Sequence, residues 1–294
     1  MAAIPPIVAL LCAVAGTLSP STSDTLLTEL RSAGSFQHAF RLTLDPQGGV
    51  YIADVELHQI NHLTDDRSSA PSVGGFGWEA ATFDRPAGLA TDGLNLFVAD
   101  EGNHRIQRFD RSLNFVSSFS TRDTSVAAAR IGYPRGVALS RAGELYVLDG
   151  ENLRVAKFRP TMQFDRSFGG IDDRRARLRK PLKILVGSDD HVYVLEPDRL
   201  VEFDMFGHFV RTIGEGSITD ARSFAFTPGG FLILTGDLLQ WFSGRGEQTG
   251  VILSRHLITE FPLGSLEDAV VAGEELYLLT TTRLHIFRVS FSVR

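Results

Sequence analysis

Leu96-Phe97-Val98-Ala99-Asp100, read with the segments on either side, decides the fold. Before it, Gly88-Leu89-Ala90-Thr91 is a short strand and Asp92-Gly93 a tight turn. After it, Glu101-Gly102-Asn103 turns the chain again and Arg105-Ile106-Gln107-Arg108-Phe109 alternates polar with apolar. Phe115 to Phe119 supplies a fourth strand. The innermost strand is nearly all apolar or small, as a strand buried on both faces must be. The third alternates, as a half-exposed strand does.

The same unit recurs. Val50-Tyr51-Ile52-Ala53-Asp54 precedes it, and Leu145-Tyr146-Val147-Leu148-Asp149 and Val192-Tyr193-Val194-Leu195-Glu196 follow. Weaker copies are Phe231-Leu232-Ile233-Leu234-Thr235 and Leu276-Tyr277-Leu278-Leu279-Thr280. From Tyr51 through Phe97, Tyr146, Tyr193, Leu232 and Tyr277 the spacings are 46, 49, 47, 39 and 45 residues. A period of about 40 to 50 residues with several short strands in each repeat is the signature of propeller blades. Six copies predict an all-β, six-bladed propeller of four-stranded antiparallel blades. Little chain follows Leu284-His285-Ile286-Phe287, so the sixth blade is short of a strand. The segment Thr25-Leu26-Leu27-Thr28-Glu29-Leu30 is expected to supply it, closing the ring and removing exposed edges.

Composition narrows the function. The 294 residues carry 29 Lys+Arg against 35 Asp+Glu, a net charge of −6, with 43% apolar residues. These are globular values, and the acidic balance disfavours a nucleic-acid binder. Cys12 is the one cysteine, so neither a disulfide framework nor a cysteine zinc site is available. Met1 to Leu18 has no charged side chain; Ala13-Val14-Ala15-Gly16 and then a polar run follow the order of a secretory signal. Residues 1–23 are therefore expected to be a signal peptide or N-terminal anchor, and residues 24–294 one propeller domain, periplasmic or secreted. The large Leu10 and Leu11 before Cys12 argue against lipidation there. Membrane contact is expected only through an uncleaved N-terminal segment.

Arg85-Pro86-Ala87-Gly88-Leu89-Ala90, Phe97-Val98-Ala99-Asp100 and Asn103-His104-Arg105-Ile106-Gln107-Arg108-Phe109-Asp110 resemble the NHL repeat. The third unit resembles it too, through Tyr133-Pro134-Arg135-Gly136-Val137-Ala138 and Asn152-Leu153-Arg154-Val155-Ala156-Lys157-Phe158. The fourth retains Lys180-Pro181 and Leu200-Val201-Glu202-Phe203-Asp204 without the Asn and Arg, and the last two keep only the apolar skeleton. The resemblance implies the fold; relatives include enzymes, RNA binders and protein-binding scaffolds. The strand-end Asp and the Asn-x-Arg read as structural, satisfying backbone groups of a short polar loop.

Ligands of such folds meet the face that carries the loops into the innermost strands. Aligned repeats put Arg41, Gly88, Gly136, Lys183, Ser223 and Asp268 at the start of those strands, with Phe40, Ala87, Arg135, Leu182, Arg222 and Glu267 one residue earlier. The expected channel rim is thus Arg41, Arg135, Lys183, Arg222, Glu267 and Asp268. The loop Asp172 to Lys180 adds Arg174, Arg175 and Arg177. One reading is a basic arc for an anionic ligand or acidic protein; the other is a solvated loop whose arginines pair with Asp172 and Asp173. The loop from Thr64 to Thr82 holds Phe76 and Trp78, either as anchors of a flexible contact surface or as caps over the blade.

Enzyme readings find few residues. The propeller lactonases hold calcium with inner-strand acids and amides, and this ring offers too few oxygens. His58 and His62 on a strand stand roughly 13 Å apart, too far to share an ion. No Gly-x-Ser-x-Gly elbow is present. The sequence therefore favours an exported, cofactor-free scaffold that binds a protein or anionic ligand through its channel-face loops. The alternatives are a propeller hydrolase or lyase with a channel metal, and an extrinsic subunit of a membrane complex.

Overall fold

The computed structural model describes residues 25–64 and 71–291, so the expected signal segment and Cys12 lie outside the described residues. The described residues form six four-stranded antiparallel sheets. Five run in sequence order from the innermost strand outward, and the helical content of the described residues is two 3-10 turns, Ala127–Ala129 and Ser254–His256. The sixth sheet is ordered Leu266–Ala272, Glu275–Thr280, Leu284–Phe291, then Thr25–Ala33. The N-terminal strand pairs antiparallel with the last, Leu27 opposite Val289 and Ala33 opposite Leu284. Ring closure is as the sequence expects.

The second strand of each blade explains the repeat. Val50–Asp54, Leu145–Asp149 and Val192–Glu196 are buried at every position. Each packs between two neighbouring blades, so the core is a set of wedges between sheets. One wedge holds Tyr146, Leu148 and Phe168 of blade three against Ile184, Val194, Val201 and Phe203 of blade four, with Ala176 and Leu178 of the connecting loop. Outer strands are left to solvent, as Phe115–Ser120 shows.

Register confirms the alignment of the repeats. Arg41, Gly88, Gly136, Lys183, Ser223 and Asp268 lie opposite Ala53, Ala99, Leu148, Leu195, Leu234 and Leu279, one residue before the strand-end acid or threonine. In blades one, two, three and six the register slips just before this position, a bulge that aims the following residue into the channel.

The strand-end acids are structural. Asp100 accepts Asp84 N, Asn103 Nδ2 and Arg105 Nε at 2.8–2.9 Å. Arg105 then donates to the carbonyls of Trp78, Glu79 and Thr82, fastening the loop that enters its own blade. Asp149 and Arg154 repeat this, with Arg154 on Ala128 O and Arg130 O. Blade four has not lost the arginine, contrary to the sequence reading. Arg199 sits opposite Glu196 as Arg105 sits opposite Asp100, and donates to Arg177 O. The turn is two residues shorter, which hides the correspondence in a linear alignment.

His58 is also displaced from expectation. It lies in a turn at φ 51°, not on a strand, and its Nδ1 accepts Arg85 N at 2.9 Å. His104 does the same one blade on, at φ 50°, accepting Tyr133 N at 3.0 Å. His62 lies on the strand Gln59–Leu63, so the two histidines serve different ends of the blade.

Gly88 marks a close approach of two inner strands, since a Cβ there would stand 2.6 Å from Gly136 Cα. Gly88→Ala is expected to cost about 1–3 kcal/mol through backbone displacement. Gly229→Ala, with nothing within 4 Å, should stay within about 0.5 kcal/mol. Denaturant unfolding of the two variants checks this. The His104 staple requires a neutral Nδ1, and burial lowers the His104 pKa. Below about pH 6.5 the unfolded chain takes up a proton that the folded turn resists, so this stability is held above that pH and lost below it. Unfolding midpoints between neutral pH and about pH 5 should fall, and fall less in His104→Gln.

Candidate functional site

The inner-strand ring converges on one carboxylate. Asp268 is fully buried. Its Oδ2 accepts Leu42 N of blade one at 2.9 Å. Its Oδ1 takes the Lys183 ammonium of blade four at 2.5 Å and the Ser223 hydroxyl of blade five. Lys183 Nζ also donates to Ser223 Oγ at 3.1 Å and Phe224 O at 3.0 Å. Arg41 enters from blade one and crosses the channel: its guanidinium donates to Leu182 O of blade four at 3.1 Å and Glu267 O of blade six at 3.3 Å. Burial lowers the pKa of both Arg41 and Lys183, and the Asp268 charge opposes it in each. Arg41, Lys183, Asp268 and the Glu267 backbone are thus brought together as a plug whose donors and acceptors are spent on one another.

The other rim residues sit farther out and are half-exposed. Arg135 reaches Glu101 Oε1 at 3.3 Å, and Glu101 Oε2 holds Arg85 at 2.7 Å. Arg222 bonds the Ser265 hydroxyl and lies 3.6 Å from Glu267 Oε1. Glu101 and Ser265 were not singled out by the sequence. Their one signal is position: Glu101 follows the second strand of its blade in a turn, and Ser265 immediately precedes the first strand of blade six.

The loop entering blade four has a pinned backbone and free side chains. Asp173 Oδ1 accepts Arg175 N and Ala176 N, and Glu196 Oε1 accepts Arg179 N and Lys180 N at 2.5 and 2.6 Å. Ala176 and Leu178 are buried beneath it. Arg174, Arg175, Arg177, Arg179 and Lys180 are exposed and form no salt bridge among the described residues. Asp172 and Asp173 do not pair with them. Beside the loop a cleft of about 1050 Å³ runs past Ile171, Phe168 and His208.

Phe76 and Trp78 are 70% and 67% exposed, so neither caps the blade. Nor is their segment loose. Gly77 O accepts Asn103 Nδ2 at 2.8 Å, Trp78 O accepts Arg105 Nη1 at 2.6 Å, and Phe76 meets the His58 ring edge-on at 5.1 Å.

Removing one partner of the plug leaves a buried charge. Lys183→Met is expected to cost about 3–5 kcal/mol. Adding Asp268→Asn should recover more than half of that, because the amide keeps hydrogen bonds and carries no charge. Denaturant unfolding of the single and double variants checks both values.

The NHL repeat family model matches residues 83–109 and 132–158, the first three strands of blades two and three. Protein brain tumor of Drosophila melanogaster is 29% identical over 146 residues, 48% of this chain and 13% of that protein, so the chain spans a small part of that relative. Among solved structures, virginiamycin B lyase from Staphylococcus aureus superposes with a TM-score of 0.60 at 12% identity, over 85% of this chain and 80% of that one. A gluconolactonase, XC5397 from Xanthomonas campestris, gives 0.60 at 14% identity over 91% and 90%. At these identities the likeness to the solved structures is one of fold. With the sequence signature, the blade count and the family match in agreement, the chain is a six-bladed β-propeller carrying NHL repeats in its second and third blades.

Proposed function

We propose that this propeller is a binding scaffold that engages an acidic protein surface through the loop entering blade four. The observation that carries the reading is the set of cations Arg174, Arg175, Arg177, Arg179 and Lys180. They stand unpaired among the described residues of a chain with net charge −6. A pinned backbone under free cations lowers the ordering cost of binding, and exposed guanidinium groups suit carboxylates. Arg135 and Arg222 extend the same face, and Phe76 and Trp78 offer apolar anchors on its far side. The lyase and gluconolactonase neighbours raise an enzymatic alternative. Against it, Asp268, the fully buried carboxylate of the inner-strand ring, is already closed by Lys183 and Ser223. The proposal includes export through the N-terminal apolar run, which sequencing of the mature N-terminus at Gly16 tests; an intact Met1 would instead favour membrane anchoring.

Binding of a fluorescent hexaglutamate peptide, followed by anisotropy, tests the surface. Affinity should fall steeply with salt. Replacing Arg174, Arg175 and Arg177 together by Glu should lower it at least tenfold, with stability changed by no more than about 0.5 kcal/mol per site. Equal affinity in that variant overturns the proposal. Lys183→Glu is not a suitable probe, because it would bury a second carboxylate against Asp268.

A further inference from the structure

On the opposite face, the turn between the first two strands of blade four carries a different chemistry. Asp189 and His191 of that turn meet Glu202 of the third strand. His191 Nδ1 lies 2.7 Å from Glu202 Oε1 and 3.8 Å from Asp189 Oδ2. One donor atom from each of the three residues falls within 4.8 Å of the others, the only such group among the described residues.

Comparison between blades shows what is unusual here. In blade three the residue before the second strand is Glu144, and the residue facing it from the third strand is Lys157, with Nζ 2.9 Å from Oε1. That acid–base pair closes on itself, and an ammonium has no lone pair to give a metal. Blade four exchanges the two types. The turn position holds an imidazole, His191, and the strand position opposite Tyr193 holds an acid, Glu202, just as Lys157 stands opposite Tyr146. Asp189 is added beside them. One guanidinium, Arg211, binds Glu202 Oε2 at 2.6 Å. Arg211 holds Glu202 through Oε2, leaving Oε1 turned to His191. Outer-shell bonds of this kind orient ligating carboxylates.

We propose that Asp189, His191 and Glu202 form a binding site for a first-row divalent cation. The ligands are His191 Nδ1, Glu202 Oε1 and Asp189 Oδ2, with water completing the shell on the solvent side. Ligand atoms around a tetrahedral zinc ion stand about 3.3 Å apart. The His191–Glu202 distance must therefore open, and the His191–Asp189 distance close, by about half an ångström each. The Asp189 side chain is 54% exposed on a turn and has the freedom to do so. One imidazole with two carboxylates favours zinc or its neighbours over calcium, which takes six or more oxygens.

The test is calorimetric titration of the full chain with zinc chloride. One equivalent of zinc should bind, calcium should bind at least a hundredfold more weakly, and zinc should raise the melting temperature. His191→Ala should abolish that equivalent. Asp189→Asn, a surface change, should weaken it at least tenfold while leaving the zinc-free melting curve unchanged. Absence of zinc binding by the unaltered protein overturns the proposal, as does binding that survives in His191→Ala, which would place the ion on other histidines.

Discussion

A single carboxylate in the central channel ties the ring together. Asp268 of blade six takes a backbone amide from blade one, an ammonium from blade four and a hydroxyl from blade five. Arg41 spans from blade one to blade four above it. The remaining two blades meet through bare backbone, Gly88 against Gly136. The channel is therefore lopsided, with charged side chains filling one part and main chain filling the other. Burying these charges is tolerable because each has its partners, and that demand fixes which residue every blade may place at its inner-strand start.

The periphery follows a second rule. In blades two, three and four, where the second strand ends in an acid, an arginine opposite it clamps carbonyls of the incoming loop: Arg105, Arg154 and Arg199; in blade one Gln59 stands opposite Asp54, which takes backbone amides of Gln37 and His38 itself. Loops on the channel face are held by their backbones while their side chains stay available. The Arg174–Lys180 cations and the Phe76–Trp78 pair both owe their presentation to this device. The motif that marks the repeat thus builds a platform, and the residues between motifs decide what it touches.

Much of this was legible in the sequence. The blade period, the innermost-strand starts and the strand borrowed from the N-terminus all follow from local patterns of apolarity and turn residues. What failed to show depended on distant partners. Arg41 and Lys183 read as rim cations because residue type at a strand start does not say that the Leu182 carbonyl will accept Arg41's hydrogen bond or that the Asp268 carboxylate will pair with Lys183. Arg199 was missed because a shortened turn moved it out of alignment. His58 was placed on a strand because its left-handed backbone, with Nδ1 serving the next blade, leaves no composition signal.

The borrowed strand has a consequence for how the molecule is made. Leu27 pairs with Val289, so the strand that seals the ring leaves the ribosome long before its partner does. Until then blade six presents an open edge, and so does the waiting strand, both of the kind that pairs with the wrong chain. Folding of the closed ring is thus governed by a contact of very long sequence separation, which slows it. A chain stopped short by even one strand would not be a slightly smaller ring but an unsealed one, and a target for quality control.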